Sequence, residues 1–162
     1  MANHMYFGFG RNIVILSIVS FLNDIGGETI KRTIPLFLAN VLGVKTSIIG
    51  LIEGIGEATP QLLQPLAGLL SDKTQKRKPL ILVGQLFRTS MLFLSVAVSW
   101  PQVLLFRFLD RTGKGVANAP RDALISISSE GHAGRSFGLN RAMDNAGAVV
   151  GMAGAAMIIL LF

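Results

Sequence analysis

The chain has 162 residues, no cysteine, 51% hydrophobic and 15% charged side chains and a net charge of +6, with a mean hydropathy of +0.56. Soluble domains carry roughly 25% charged residues, so the balance leans towards a membrane protein, and the lack of cysteine excludes disulfides and thiolate metal sites. A pI near 10.3 suits a nucleic-acid partner only where the cations share one soluble face; here they are scattered through apolar runs or gathered in one short loop, so no nucleic acid is expected.

The start, MANHMYFGFGRNIVILSIVSF, sets a cation before an apolar run, but no small-x-small cleavage site follows, so it is not read as a secretory signal. The pattern passes through a polar patch and resumes at Ile34, predicting one helix over 12–42. Its length of about 30 residues corresponds to roughly 45 Å, more than a hydrocarbon core of about 30 Å, so it must tilt, bend near Pro35 or project into water. Asp24, Glu28 and Lys31 fall at i, i+4 and i+7 on one face, with Arg32 four residues after Glu28.

A turn at 43–46 leads to a second helix over 47–71. Glu53, Glu57, Gln61, Gln64 and Gly68 recur at helical intervals and form a continuous polar stripe. Pro60 and Pro65 are tolerated where neighbours or water satisfy the freed carbonyls. Gly50 and Gly54 form a small-xxx-small pair, suited to close helix contact or to simple packing.

The segment GLLSDKTQKRK, 68–78, then breaks the apolar pattern with Lys73, Lys76, Arg77 and Lys78 around a single acid, Asp72. Short loops rich in Lys and Arg stay on the cytoplasmic side. That fixes the orientation of the rest, with the N-terminus inside.

The third helix, 79–98, is the most lipid-like and has Arg88 as its only charge; Trp100 after it is placed as an outer interfacial anchor. The fourth, 102–127, is the opposite. Arg107, Arg111, Lys114 and Arg121 lie along one side, with Asp110 within reach of Arg107 or Lys114. Each such charge costs about 2.5–3.5 kcal/mol at the bilayer centre, so this side must face partners or a hydrated cavity. The fifth helix, 136–162, opens with Arg141 and Asp144 one turn apart and carries Gly147, Gly151 and Gly154 on a small-residue face. These elements predict an all-α, polytopic transmembrane chain forming a single helical domain over 1–162.

Several motifs fail on inspection. Gly113-Lys114-Gly115 lacks the glycine spacing and the Ser or Thr of a phosphate loop, and Gly8-Phe9-Gly10 lacks the third glycine of a dinucleotide fingerprint. His4 and His132 are isolated, so no metal site is expected. Asp24 with Glu28, and Glu53 with Glu57, have the spacing of paired carboxylates but no accompanying nucleophile or metal-binding histidine, and neither an enzyme nor a cofactor is expected. Carboxylates in a low-dielectric cavity can instead load and release protons near neutral pH.

Three stretches carry a family resemblance. Gly68-x-x-x-Asp72-Lys73-x-Gln75-Lys76-Arg77-Lys78 resembles the loop between the second and third helices of major facilitator superfamily transporters, with Lys73 where arginine is usual and Gln75 where the family mostly has glycine. RFLDRTGKGVANAPRDALI is similar to the fourth helix of a bacterial branch of that superfamily, and GRSFGLNRAMDNAG to the fifth, with Gly151-Met152 where Gly-Pro is frequent. The resemblance implies the first five helices of a carrier built from two six-helix halves, lacking the sixth helix. It implies secondary active transport of a small-molecule substrate across a lipid bilayer, coupled to protons, in the cell inner membrane.

By the same resemblance Gly68, Asp72, Lys73 and Arg77 form a gating loop, while Arg107 and the first-helix acids serve proton or substrate coupling. The substrate or proton cavity is thus expected at Asp24, Glu28, Glu53, Glu57 and Arg107. Asp110, Arg111, Lys114, Arg121, Asp122, Arg141 and Asp144 form an ion-pair network; for Arg121 and Asp122 the structural role, holding helix ends together, is favoured over a transport role. The chain stops inside MIILLF, so the missing second half is expected from a longer gene product, a partner chain or a second copy. A non-transporting helical module bound to a partner bundle is the alternative.

Overall fold

A computed structural model describes residues 5–6, 9–129 and 131–161; His4, Gly8 and the chain end at Phe162 lie outside them. The described residues are almost wholly helical, apart from a two-residue antiparallel hairpin, β1 (Met5–Tyr6) and β2 (Phe9–Gly10), in which Met5 pairs with Gly10. The helices are α1 (Arg11–Leu36), α2 (Thr46–Thr74), α3 (Arg77–Arg88), α4 (Trp100–Ser128) and α5 (Ala133–Leu161). They divide into two compact units, one of residues 1–36 and 124–162, the other of residues 37–123.

In the first unit α1 packs along α5, and small residues set how closely. A Cβ on Gly147 would collide with the backbone of Phe21, and one on Gly151 would meet the Ile25 carbonyl at 2.5 Å and Glu28 Cβ at 3.1 Å. Two helix backbones can approach this closely only where one of them lacks side chains. Two hydrogen bonds from neutral side chains cross this seam. The buried Asn140 donates from Nδ2 to Ser20 Oγ at 3.3 Å, and Thr29 Oγ1 lies 2.8 Å from Ile25 O on its own helix and 3.0 Å from Gly151 O on α5. In the hairpin the Arg135 guanidinium of α5 sits 4.6 Å from the centre of the Phe9 ring.

The second unit begins with a π-helical turn, Phe37–Val41, directly after Pro35. Proline removes one N–H and crowds the preceding turn, and the chain responds by widening: Leu42 N–H reaches Phe37 O at 3.2 Å and Val44 N–H reaches Leu38 O at 2.9 Å. Gly43, with φ of 62°, closes the turn in the left-handed region that glycine enters without steric cost. Thus the α-helix predicted over 12–42 ends at Leu36.

The third run also departs from a plain α-helix. After Arg88 it tightens into a 3-10 helix, Thr89–Val96, where hydroxyls turn back on the chain: Thr89 Oγ1 donates to Leu86 O at 2.6 Å and Ser95 Oγ to Leu92 O at 2.9 Å. Such side-chain bonds to backbone compete with the α-helical ladder. Ser90 instead donates to Phe106 O of α4 at 3.2 Å, and Phe93 stacks obliquely on Phe106 with centroids 5.9 Å apart.

Packing within this unit again relies on missing side chains. A Cβ on Gly84 of α3 would fall 2.7 Å from both Ala117 Cβ and Gly113 O of α4, and one on Gly115 would fall 2.9 Å from Leu63 Cβ of α2. Gly50 and Gly54 do not take part, because a Cβ on either would meet nothing within 4 Å among the described residues. The close helix contact to which that pair is suited is therefore not made among the described residues; the faces that mate are centred on Gly56, Gly115 and Gly68.

Large apolar side chains point outward on several helices, among them Leu62, Leu66, Leu69, Leu86 and Leu92. Among the described residues three segments are long and apolar enough to cross a membrane, Arg11–Val41, Arg77–Val96 and Ala133–Leu161. α2 and α4 have the length but carry the charges that the sequence concentrates there.

Candidate functional site

The charged residues of α2, α3 and α4 converge on one side of α4. Arg107 is 1% exposed, and its Nη2 donates to Glu53 Oε2 of α2 at 2.6 Å. A charge-assisted bond this short is among the strongest that side chains form. Gly56, one turn after Glu53, makes the contact possible: a Cβ there would lie 3.3 Å from Arg107 Nε, 3.5 Å from its Cγ and 3.8 Å from Arg111 Cγ. The bare glycine is the floor over which both arginine stems lie.

Asp110, almost fully buried, faces Arg88 of α3 at 3.6 Å and its neighbour Arg111 at 3.7 Å. The arginine that alone breaks the apolar third run is thus held by a carboxylate of the next helix. Sequence spacing offers Arg107 and Lys114 as partners for Asp110, whereas Arg107 takes Glu53 from α2. Buried donors exceed the acceptors that meet them: Arg107 Nε and Nη1 and Arg111 Nε are without a hydrogen-bond partner among the described residues.

Glu57 lies one turn beyond Glu53 and is half-buried, as are Lys114 and Thr112 on α4. Further along, the stripe of α2 opens into a groove of about 450 Å³ lined by Gln61, Gln64, Pro65, Gly68 and, from α4, Ala119. Arg121 pairs with the adjacent Asp122 at 3.3 Å. In the first unit, Asp24 and Glu28 are half-buried on α1, with Glu28 Cβ close to Gly151, and Arg141 pairs with Asp144 on α5 at 3.5 Å.

At the α2–α3 turn Gln75 adopts φ of 53°, the one non-glycine residue with positive φ among the described residues. It caps α2, its N–H donating to Ser71 O at 2.9 Å, while its side-chain Nε2 donates to Asp72 O at 2.7 Å and its Oε1 accepts from Arg77 Nη1 at 2.9 Å. The left-handed turn that glycine adopts freely is kept here by a side chain bonded on both sides. Arg77 also approaches Asp72 at 4.0 Å, Gly68 faces Ala119, and Lys73, Lys76 and Lys78 are exposed.

Sequence reasoning missed Gly56 as a positioning residue, although its place between Glu53 and Glu57 on the polar stripe marked the face. It also missed Arg88 as the partner of Asp110, because no spacing rule links residues on different helices. No group of three or more His, Asp or Glu among the described residues is arranged to hold a metal ion.

α4 carries four ionic side chains within eight positions, Arg107 paired to a carboxylate of α2 and Asp110 to an arginine of α3, and ionic groups on membrane helices face a bundle interior or a hydrated cavity. The model of the Major Facilitator Superfamily matches residues 16–162. The chain belongs to this superfamily.

An uncharacterised MFS-type transporter of Methanocaldococcus jannaschii is 41% identical over 144 residues, covering 87% of this chain and 35% of that protein. The multidrug resistance protein MdtH of Aeromonas hydrophila is 33% identical over 138 residues, covering 84% of this chain and 34% of its own length. An uncharacterised protein of Mycobacterium bovis is 27% identical over 143 residues. The chain spans about a third of the length of these curated relatives. It is a multi-pass membrane protein of a transporter superfamily whose members bind small-molecule substrates within a lipid bilayer.

Proposed function

We propose that the chain forms part of a proton-coupled secondary carrier for a small solute in the cell inner membrane, completed by a second helix bundle or by a second copy. The observation that carries this reading is the Arg107–Glu53 pair over Gly56, in which the guanidinium is 1% and the carboxylate 25% exposed. An ion pair in that position is costly to keep for stability alone, since apolar replacements of similar volume are often neutral or better. Protonating Glu53 weakens its hold on Arg107, and a pair that opens with a proton is the element a coupled carrier needs. Glu57 is assigned to the same cavity, Asp24 and Glu28 of α1 to proton or substrate coupling, and Gly68, Asp72, Lys73 and Arg77 to a gate whose shape depends on the Gln75 turn. Asp110, Arg111, Lys114, Arg121, Asp122, Arg141 and Asp144 are assigned to an ion-pair network, in which Asp110 reaches across to Arg88 of α3 while Arg121–Asp122 and Arg141–Asp144 pair within α4 and α5.

Orientation follows from the basic turn: Lys73, Lys76, Arg77 and Lys78 are assigned to the cytoplasm, and the N-terminus with them. Because the chain has no cysteine, single replacements Lys76→Cys and Ser99→Cys test this in intact cells. An impermeant maleimide labels only the second if the assignment holds; labelling of Lys76→Cys reverses it.

The transport reading is tested in proteoliposomes that enclose a pH dye, holding the chain alone or co-expressed with a second six-helix bundle, against a panel of small anionic, cationic and neutral solutes. A solute that discharges an imposed pH gradient, with the response lost in Glu53→Gln, supports it. Absence of any solute-dependent proton movement in both preparations rejects it. The competing reading, a non-transporting module seated on a partner helix, draws on the uncovered Gly50–Gly54 face; a stoichiometric membrane partner without flux would favour it.

A further inference from the structure

The polar cluster of α2, α3 and α4 is not balanced in charge or in hydrogen bonding. Arg88, Arg107 and Arg111 stand against Glu53 and Asp110, with ion-pair distances of 2.6 to 3.7 Å, so three cations against two anions leave one positive charge. Glu57 and Lys114, the next charged residues on α2 and α4, add one of each sign and leave that surplus unchanged. Donors are in surplus too. A guanidinium offers five N–H groups and no acceptor; Nε and Nη1 of Arg107 and Nε of Arg111 have no hydrogen-bond partner among the described residues, the last remaining at ion-pair distance from Asp110, whereas of the facing Glu53 and Asp110 only Glu53 Oε1 is left without one, and the two arginines are only 1% and 6% exposed.

Buried donors without acceptors and an uncompensated positive charge are both costly, and both deficits are met by one kind of group. Resting on the transport reading above, we infer that this cluster receives an anionic group of the transported solute, a carboxylate or other oxyanion, on the guanidinium of Arg107. The planar fork suits an oxyanion, which can accept two parallel N–H bonds from it. Gly56 lets the Arg107 and Arg111 stems lie side by side, so the incoming group meets both. Access is from the Glu53 side. Glu53 is a quarter exposed while its partner is not, and the carboxylate of the solute takes over Arg107 as that of Glu53 turns away. A cationic solute would instead have to compete with arginines for carboxylates that are already engaged.

The test is equilibrium dialysis of the purified chain in detergent, with empty micelles as blank, using benzoate as probe and benzyltrimethylammonium as its cationic counterpart of similar size. Saturable benzoate binding is expected, with no saturable binding of the cation. Arg107→Gln should weaken benzoate binding about thirtyfold or more, as truncating a buried charged partner does, and Glu53→Gln should strengthen it by freeing Nη2. Should Arg107→Gln fail to fold with Glu53 left alone, the double variant Arg107→Gln/Glu53→Gln, which buries no charge at this pair, serves in its place. Benzoate affinity unchanged in the folded single or double variant overturns the inference, as does preference for the cation or the absence of saturable benzoate binding. These outcomes are separate from the flux measurement. A carrier that moves protons with a neutral or cationic solute and ignores benzoate loses this inference alone, whereas benzoate binding without flux under any condition leaves the site and removes the transport reading.

Discussion

The two units of the chain hold their helices together in different ways. Between α1 and α5 no ion pair is needed for the contact described: Gly147 and Gly151 lie against the opposing backbone, and Asn140, Thr29 and Arg32 donate to neutral acceptors, Arg32 Nη2 reaching Met152 Sδ at 3.1 Å. Among α2, α3 and α4 glycines again allow close approach, but the side chains that bridge the helices are ionic, Arg107 to Glu53 and Arg88 to Asp110. The lesson lies in what each contact can do. A seam whose hydrogen bonds end on neutral acceptors does not hang on the state of an ion pair, whereas an ionic seam changes strength whenever a proton or another ion enters it.

The largest effect that would expose this difference comes from leaving one buried charge alone. Glu53→Ala strands the Arg107 guanidinium, and the cost is expected to be about 3–5 kcal/mol, read as loss of thermal stability in detergent. Replacing both residues in Arg107→Leu/Glu53→Leu should recover most of it; no recovery would mean that the pair is not an independent unit. Next are the glycines, where the two units should behave alike. Gly113→Ala and Gly147→Ala are each expected to cost about 1–3 kcal/mol by overpacking, and a negligible cost at either would show that its helix contact is looser than described.

A smaller effect is expected in the neutral seam itself. Asn140→Leu removes a hydrogen bond without stranding a charge and should cost about 0.6–2 kcal/mol by the same melting measurement; a cost as large as that of Glu53→Ala would erase the contrast between the seams. The smallest change is at the turn. Gln75→Gly relieves a left-handed conformation worth about 1–2 kcal/mol for a non-glycine residue but loses two side-chain hydrogen bonds and adds unfolded-state freedom. The net gain should be under about 1 kcal/mol, and hydrogen exchange at residues 71–76 should slow or stay unchanged.

Much of this was legible in the sequence because hydrocarbon imposes strict rules. The charges of α4 had to turn away from lipid, and the i, i+4 stripes showed along which side. The resemblance at 68–78 and along 107–125 led to the superfamily that the family match identifies. The choice of partners was not legible: Asp110 is near Arg107 in sequence, yet Arg107 takes Glu53 and Asp110 faces Arg88, because these choices depend on how three helices lie against each other. Helix type was also hidden. Pro35 announced a disturbance, but whether the chain would kink or widen depended on the carbonyls left to satisfy. The third run reads as one apolar helix over 79–98, whereas the hydroxyls of Thr89 and Ser95 accompany its tightening.

That tightening has a consequence for the bilayer. Twelve α-helical residues, Arg77–Arg88, rise about 18 Å at 1.5 Å each, and the eight that follow, Thr89–Val96, about 16 Å at 2.0 Å each. The same twenty residues wound as α-helix throughout would reach only about 30 Å, barely the depth of the acyl region. By drawing out its C-terminal portion, the shortest of the three segments long and apolar enough to cross gains about 4 Å, enough to stand with some inclination in a sheet of ordinary thickness rather than pinching the lipids around it.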